Sequence, residues 1–166
     1  MWKKNICHFK SLKTARKIKQ KYRKSDRFWY KFPVDFHCVE CGGTGARQVS
    51  GEIVFPEVKK FHRSTYFVCP CGAYVLCHRG SGVPMGYPAG VATRAARGAL
   101  HNKFLDPLWR GVSRGRRDLV RDKLYRYLAR KMGLPFEKAH VSMFDLGQCH
   151  KAINILENVV KSRNMS

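Results

Sequence analysis

Residues 69–80, Cys69-Pro70-Cys71-Gly72-Ala73-Tyr74-Val75-Leu76-Cys77-His78-Arg79-Gly80, gather three cysteines and a histidine around a turn-forming Cys-Gly pair. Upstream, Cys38-Val39-Glu40-Cys41-Gly42-Gly43 adds two thiols separated by two residues, with glycines that let backbone amides turn toward the sulfurs. Zinc takes four thiolate or imidazole ligands in a tetrahedron, and two short ligand loops held side by side by a hairpin supply them. Cys38 and Cys41 form the first pair, and Cys71-Gly72 fits the second knuckle. Cys69, two positions before Cys71, makes a tighter bite than usual, which leaves Cys77 and His78 as reserve ligands. On a strand, positions 69, 71 and 77 share one side while 78 points to the other, so alternation favours a cysteine. The expected metal set is Cys38, Cys41, Cys69 and Cys71, with Cys77 read as a small buried apolar residue.

Around these loops, the short β-rich runs Glu52 to Phe55, Ser64 to Val68 and Ala73 to Cys77 alternate with Gly, Pro and charged turns, the signature of a small antiparallel sheet. The ligand pairs fall at strand junctions, in the order of a zinc ribbon. The gap between the pairs is longer than the usual ribbon spacing and carries Lys59, Lys60, His62 and Arg63. Residues 79–91 form a Gly- and Pro-rich connector that matches neither the Walker nor the dinucleotide fingerprint.

The chain has 166 residues, with 33 Lys and Arg against 11 Asp and Glu and a formal net charge of +22. Such an excess calls for a polyanionic partner, most simply nucleic acid. No apolar run approaches the roughly 20 residues that span a bilayer, so a membrane partner is not expected. The N-terminal MWKKNICHFK lacks the apolar centre of a secretory signal. Seven cysteines, an odd number arranged as close groups plus the distant Cys7 and Cys149, suit metal ligation in a reducing compartment, that is, a cytoplasmic location.

Residues 3–31 hold twelve of the Lys and Arg and one acid, Asp26, with Phe9, Leu12, Ala15, Ile18 and Tyr22 at near-helical spacing. A charge run is commonly just a solvated helix face, yet here the cation density and the interleaved aromatics of residues 27–32 favour a contact arm. Lys13, Arg16, Lys17, Lys21, Arg23, Lys24, Arg27 and Trp29 are its candidate nucleic-acid contacts.

Three helices are expected beyond the connector. One runs from Ala92 to Phe104, burying Ala92, Ala96, Ala99, Leu100 and Phe104, and stops at Asp106-Pro107. A second is capped by Ser113 and runs to Met132, closed by Gly133, with Val120, Leu124, Tyr127 and Leu128 as its apolar stripe. Its Arg114, Arg116, Arg117 and Arg121 present forked donors suited to phosphate oxygens, a second candidate contact surface. The third begins at Asp145, with Gln148 completing a capping box, and Leu146, Cys149, Ile153, Leu156 and Val160 make an apolar seam. The fold class is therefore α+β: a small antiparallel zinc-ribbon sheet packed with a C-terminal lobe of about three helices, preceded by a basic N-terminal helix or arm. Residues 1–33 are the arm, 34–80 the ribbon and 81–166 the helical lobe, with 34–166 as one compact unit.

Cys38-x-x-Cys41-Gly42, the run from Cys71 to Gly80, the Pro84-Met85-Gly86 turn, the stretch from His101 through Phe104, Asp106 and Pro107 to Trp109, and His140 to Asp145 with Cys149 give the chain a family likeness. It resembles a family of phage and prophage proteins with a zinc-finger-containing domain, over about residues 36–160. The resemblance implies a structural zinc ribbon joined to a small helical part and, for a phage-encoded protein, a place in the host cytoplasm or nucleoid. It supplies no activity.

From these features the chain reads as a non-enzymatic zinc-containing protein that holds the phosphate backbone of DNA or structured RNA, with a ribonucleoprotein such as the ribosome as one form of partner. The alternative is a metal-dependent nuclease. Two His-x4-Asp pairs, His101 with Asp106 and His140 with Asp145, could converge on a catalytic metal and its water. Against that, Asp106 precedes a proline as a helix stop and Asp145 caps a helix.

Overall fold

In a computed structural model of the chain, residues 33, 35–113 and 116–164 are described. The candidate arm contacts Lys13, Arg16, Lys17, Lys21, Arg23, Lys24, Arg27 and Trp29, and Arg114 of the basic helix, lie outside them.

Three short strands, β1 (Arg47–Ser50), β2 (Thr65–Val68) and β3 (Tyr74–Leu76), form one antiparallel sheet with β2 in the middle. Arg47 pairs with Val68 and Ser50 with Thr65, while Tyr66 pairs with Leu76 and Val68 with Tyr74. The first strand thus precedes its expected place. Glu52 to Val54, read as strand, belong to the helical turn α1 (Gly51–Val54), because the ladder ends where Gly51 N donates to Ser64 O at 2.7 Å. The apolar character of Phe55 serves a different purpose. Its ring packs against Phe61 (5.1 Å between centroids), Tyr66 (5.5 Å) and Tyr74 (5.5 Å).

The helical lobe starts with α2 (Val91–Ala99), which runs without a break through a π-helical turn at Leu100–Leu105 into α3 (Asp106–Arg110). The expected stop at Asp106-Pro107 does not occur. Pro107 sits in the first turn of α3, where its missing N–H is least costly, and the widened π turn before it takes up the misfit. The buried face of α2 also differs from the alanine stripe. Thr93 and Arg97 point inward and Ala92 is exposed, while Leu100 in the π turn is buried as expected and Ala96 and Phe104 pack partly buried against the core. Arg97 is held there by two carbonyls, its Nε donating to Phe144 O (2.8 Å) and its Nη1 to Tyr87 O (2.9 Å).

Helix α4 (Arg117–Met132) starts later than expected, with Arg116 rather than Ser113 at its N-cap, and closes on Gly133. It buries Tyr125 and Met132 as well as Leu128. Helix α5 (Leu146–Asn164) carries the expected capping box: Gln148 N donates to Asp145 Oδ1 (2.7 Å) and Asp145 N to Gln148 Oε1 (3.0 Å). Leu100, Leu105, Tyr125, Leu128, Phe144 and Leu156 form the centre of the lobe's core, and Cys149 is buried among them as its position on the seam predicts.

Ribbon and lobe meet along the connector. Val39 N donates to Pro88 O (3.1 Å) and Tyr87 N to Ser142 O (3.0 Å). At Gly86 the backbones come so close that a Cβ would lie 2.2 Å from Ser142 O, so only glycine fits.

Candidate metal centre

Four sulfurs converge where the sheet ends. Cys38 and Cys41 come from the loop before β1, Cys69 and Cys71 from the turn between β2 and β3. Cys38 Sγ lies 3.6 Å from Cys71 Sγ and Cys41 Sγ 3.5 Å from Cys69 Sγ, and all four fall within 4.8 Å of one another. Zinc–sulfur bonds of about 2.3 Å in a tetrahedron put sulfurs about 3.8 Å apart, close to these separations and far beyond a disulfide bond. The local backbone builds the two halves alike. Gly42 N donates to Cys38 O (2.8 Å) and Gly72 N to Cys69 O (2.9 Å), each glycine holding a left-handed φ (71° and 87°) that a side chain resists.

Electrostatics prepare the sulfurs unevenly. Burial pushes the Cys38 thiol up and that of Cys69 up to about 12, while a hydrogen bond from the Ala73 backbone pulls exposed Cys71 down to about 7. Backbone hydrogen bonds at residues 40 and 41 for Cys38, and at 71 for Cys69, also favour the thiolate form that a metal requires. The four residues fit zinc. A bound zinc ion would supply a cross-link and, having four protein ligands, would have no open position for chemistry.

The reserve ligands take other roles. Cys77 is buried with Phe67 and Val75, and His78 N donates to Val83 O (2.8 Å) in the turn that follows. Cys149 stays a core thiol, pushed up to about 11 by burial. One residue of the first knuckle has a further task that its spacing does not announce. Glu40 Oε1 accepts from Gly90 N (2.8 Å) at the start of α2, which joins the metal loop to the helical lobe.

The two histidines of the His-x4-Asp pairs are neighbours, their ring centroids 6.4 Å apart, but their other partners differ. His101 Nδ1 lies 3.6 Å from Asp106 Oδ1, and Asp106 also accepts from Arg110 Nη2 (3.1 Å). The ring of His140 stacks on Tyr125 (4.9 Å, 27°), with Nδ1 2.7 Å from Ser142 Oγ. Asp145 holds the cap of α5. Among the described residues the four cysteines are the one group of three or more metal-ligating side chains close enough to share an ion; His101, Asp106, His140 and Asp145 do not form such a group.

The basic face of α4 is partly committed as well. Arg117 Nε donates to Val112 O (3.0 Å), and Arg121 lies 3.9 Å from Asp118 and 5.5 Å over the Trp109 ring, whereas Arg116 is solvent-exposed. No helix among the described residues is long and apolar enough to cross a membrane. Residues 34–159 match the family of zinc-finger-containing domains, and no curated protein and no solved structure matches the chain. With that match spanning most of the sequence and the four thiols gathered inside it, the chain belongs to the zinc-finger-containing domain family, with zinc as its structural metal.

Proposed function

We propose that the protein binds nucleic acid through its phosphates and does no chemistry on it, with zinc fixing the ribbon. The observation that carries this reading is where the charge sits. Residues 1–32 hold twelve of the 33 Lys and Arg and one of the 11 acids, leaving 21 against 10 on the rest of the chain. Half of the +22 excess is thus concentrated in the segment before the matched domain, and the domain itself is also basic. Self-repulsion on this scale is relieved by a polyanion whose counterions are released on binding. A nuclease is the weaker reading, because Asp145 is engaged in a helix cap and His140 with Ser142.

The test is a salt titration of affinity for a labelled duplex DNA and for a labelled RNA hairpin. The logarithm of the binding constant should fall with the logarithm of salt by about 0.9 per phosphate contact on duplex. Replacing Lys13, Arg16, Lys17 and Lys21 by Ala should weaken binding and flatten the slope. Salt-insensitive affinity would refute the reading, as would magnesium-dependent cleavage that is lost in His101→Ala. The ratio of the two affinities decides between DNA and RNA.

A further inference from the structure

The hairpin that carries the second metal knuckle has another end. β2 runs toward Cys69 and β3 away from Cys71, so Thr65 and Cys77, joined by Cys77 N donating to Thr65 O at 2.8 Å, lie at the end remote from the metal. Four residue steps take the chain from Thr65 to Cys69, roughly 13 Å at the usual rise. At this remote end opens a cleft of about 540 Å³.

Its lining comes from two stretches far apart in sequence, residues 60–65 and 76–85. Lys60 and Arg63 approach from the turn before β2, and Arg79 from the loop after β3; all three are exposed. Ser64 and Thr65 add hydroxyls beside them, and no acidic side chain is among the lining residues. The other wall is apolar. Leu76 and Met85 are 38% and 41% exposed, two of the six exposed large apolar side chains among the described residues, and Met85 N donating to Leu76 O (2.8 Å) holds them together.

We infer that this cleft binds one nucleotide unit of a single-stranded nucleic acid, with Lys60, Arg63 and Arg79 on the phosphate and the base laid against Leu76 and Met85. The inference rests on the nucleic-acid reading above and gives it a specific site and strand preference. Three cations lining one cleft without a carboxylate fit a phosphate, Lys60 from its place 5.0 Å over the Phe61 ring, and two arginines can meet it with forked donors. Phosphate alone leaves the apolar wall unexplained, since a duplex buries its bases and offers only backbone to a surface of this kind. An unstacked base can lie against apolar side chains, at a hydrophobic gain that does not depend on salt. The cleft volume lies within the range of small-ligand sites, about 300–1,000 Å³.

The experiment compares the zinc-loaded full chain with three variants by fluorescence anisotropy, using a labelled oligothymidylate and a labelled duplex of equal length across a salt series. Arg63→Ala with Arg79→Ala should weaken single-strand binding by about tenfold and reduce the salt slope by about 1.4, at 0.7 per contact. Leu76→Ser with Met85→Ala should weaken it about fivefold with the slope unchanged, the mark of a lost base contact. Lys123→Ala with Arg130→Ala, which removes the same charge from α4, should leave the preference for single strands intact. Zinc content and thermal melts monitor folding, and all the substituted side chains except the control pair line the cleft at exposed positions. Salt-dependent wild-type binding with cleft variants no weaker than the α4 pair would overturn the cleft and leave the general reading standing. Equal losses on duplex and single strand would overturn the strand assignment, and absence of wild-type binding to either probe would overturn both readings.

Discussion

His140 is a buried histidine whose surroundings oppose a charge. Burial depresses its pKa to about 3, and the cationic groups around it act in the same direction: His101 from the π turn, Arg121 from α4, His78 from the loop after β3 and Arg97 from α2. As pH falls below the ordinary histidine range near 6.5, the unfolded chain takes up a proton that the folded chain does not accept until about pH 3. Stability carried by neutral His140 is therefore complete above pH 6.5 and drains away on acidification through that window, at up to about 1.4 kcal/mol per pH unit. His140→Asn keeps a side-chain acceptor for Ser142 N without the titration. Urea midpoints at pH 7, 6 and 5 should fall more steeply for wild type than for the variant. Zinc release at low pH acts on both proteins, so parallel lines would sink the assignment.

At the scale of elements, the joint between the first metal knuckle and α2 rests on Glu40. Its carboxylate accepts from Gly90 N (2.8 Å), and the hydrogen bond from Thr93 is the largest influence holding it below the usual carboxylate range. A carboxylate at this helix start satisfies donors that have no partner within the helix and meets the positive end of its dipole. Glu40→Ala should therefore lower stability by about 0.5–2 kcal/mol, the usual loss for a helix cap, while leaving zinc stoichiometry at one per chain. Equilibrium unfolding together with a chromogenic chelator assay measures both, and an unchanged urea midpoint would show that the contact does not hold the helix. The same joint marks how far the sequence could be read. The capping box at Asp145 and Gln148, the closing Gly133 and the two CxxC-like knuckles are local, three or four residues long, and each was legible. The inward face of α2 was not, because Arg97 is buried by carbonyls of Tyr87 and of distant Phe144, contacts that no helical period encodes. β1 was displaced for a similar reason, since the hydrophobicity of Phe55 answers to Phe61, Tyr66 and Tyr74 and not to a strand partner. Strand parity favoured a cysteine over His78 as the fourth ligand without separating Cys69 from Cys77, and the structure places Cys69 among the four sulfurs. The basic cleft joins residues 60–65 to 76–85 across the hairpin, and only the fold brings them together.

Over the whole molecule the two halves differ in what sustains them. The lobe has ten buried residues in one cluster, from Leu100 to Leu156, whereas the ribbon has two clusters of three, one of them made of Cys38, Cys69 and Ala73 beside the metal. A sheet with so small a core depends on its metal, whose binding contributes about 10–16 kcal/mol in isolated zinc fingers. Removing zinc with a strong chelator under reducing conditions should thus melt the ribbon first. Far-UV helical signal should persist in large part. Amide protection should vanish at 65–68 and 74–76 and weaken at the start of α2, where Glu40 is lost as a cap, yet remain through the middle of α4 and α5. The functional consequence follows from the position of the cleft, whose walls are the outer ends of β2 and β3. Metal-free protein should lose the preference for single strands while the basic arm keeps salt-dependent affinity for either probe, so that chelation and Arg63→Ala with Arg79→Ala are not additive. Simultaneous loss of all protection on chelation would mean that ribbon and lobe fold as one unit. A single-strand preference that survives chelation would separate the cleft from the metal altogether.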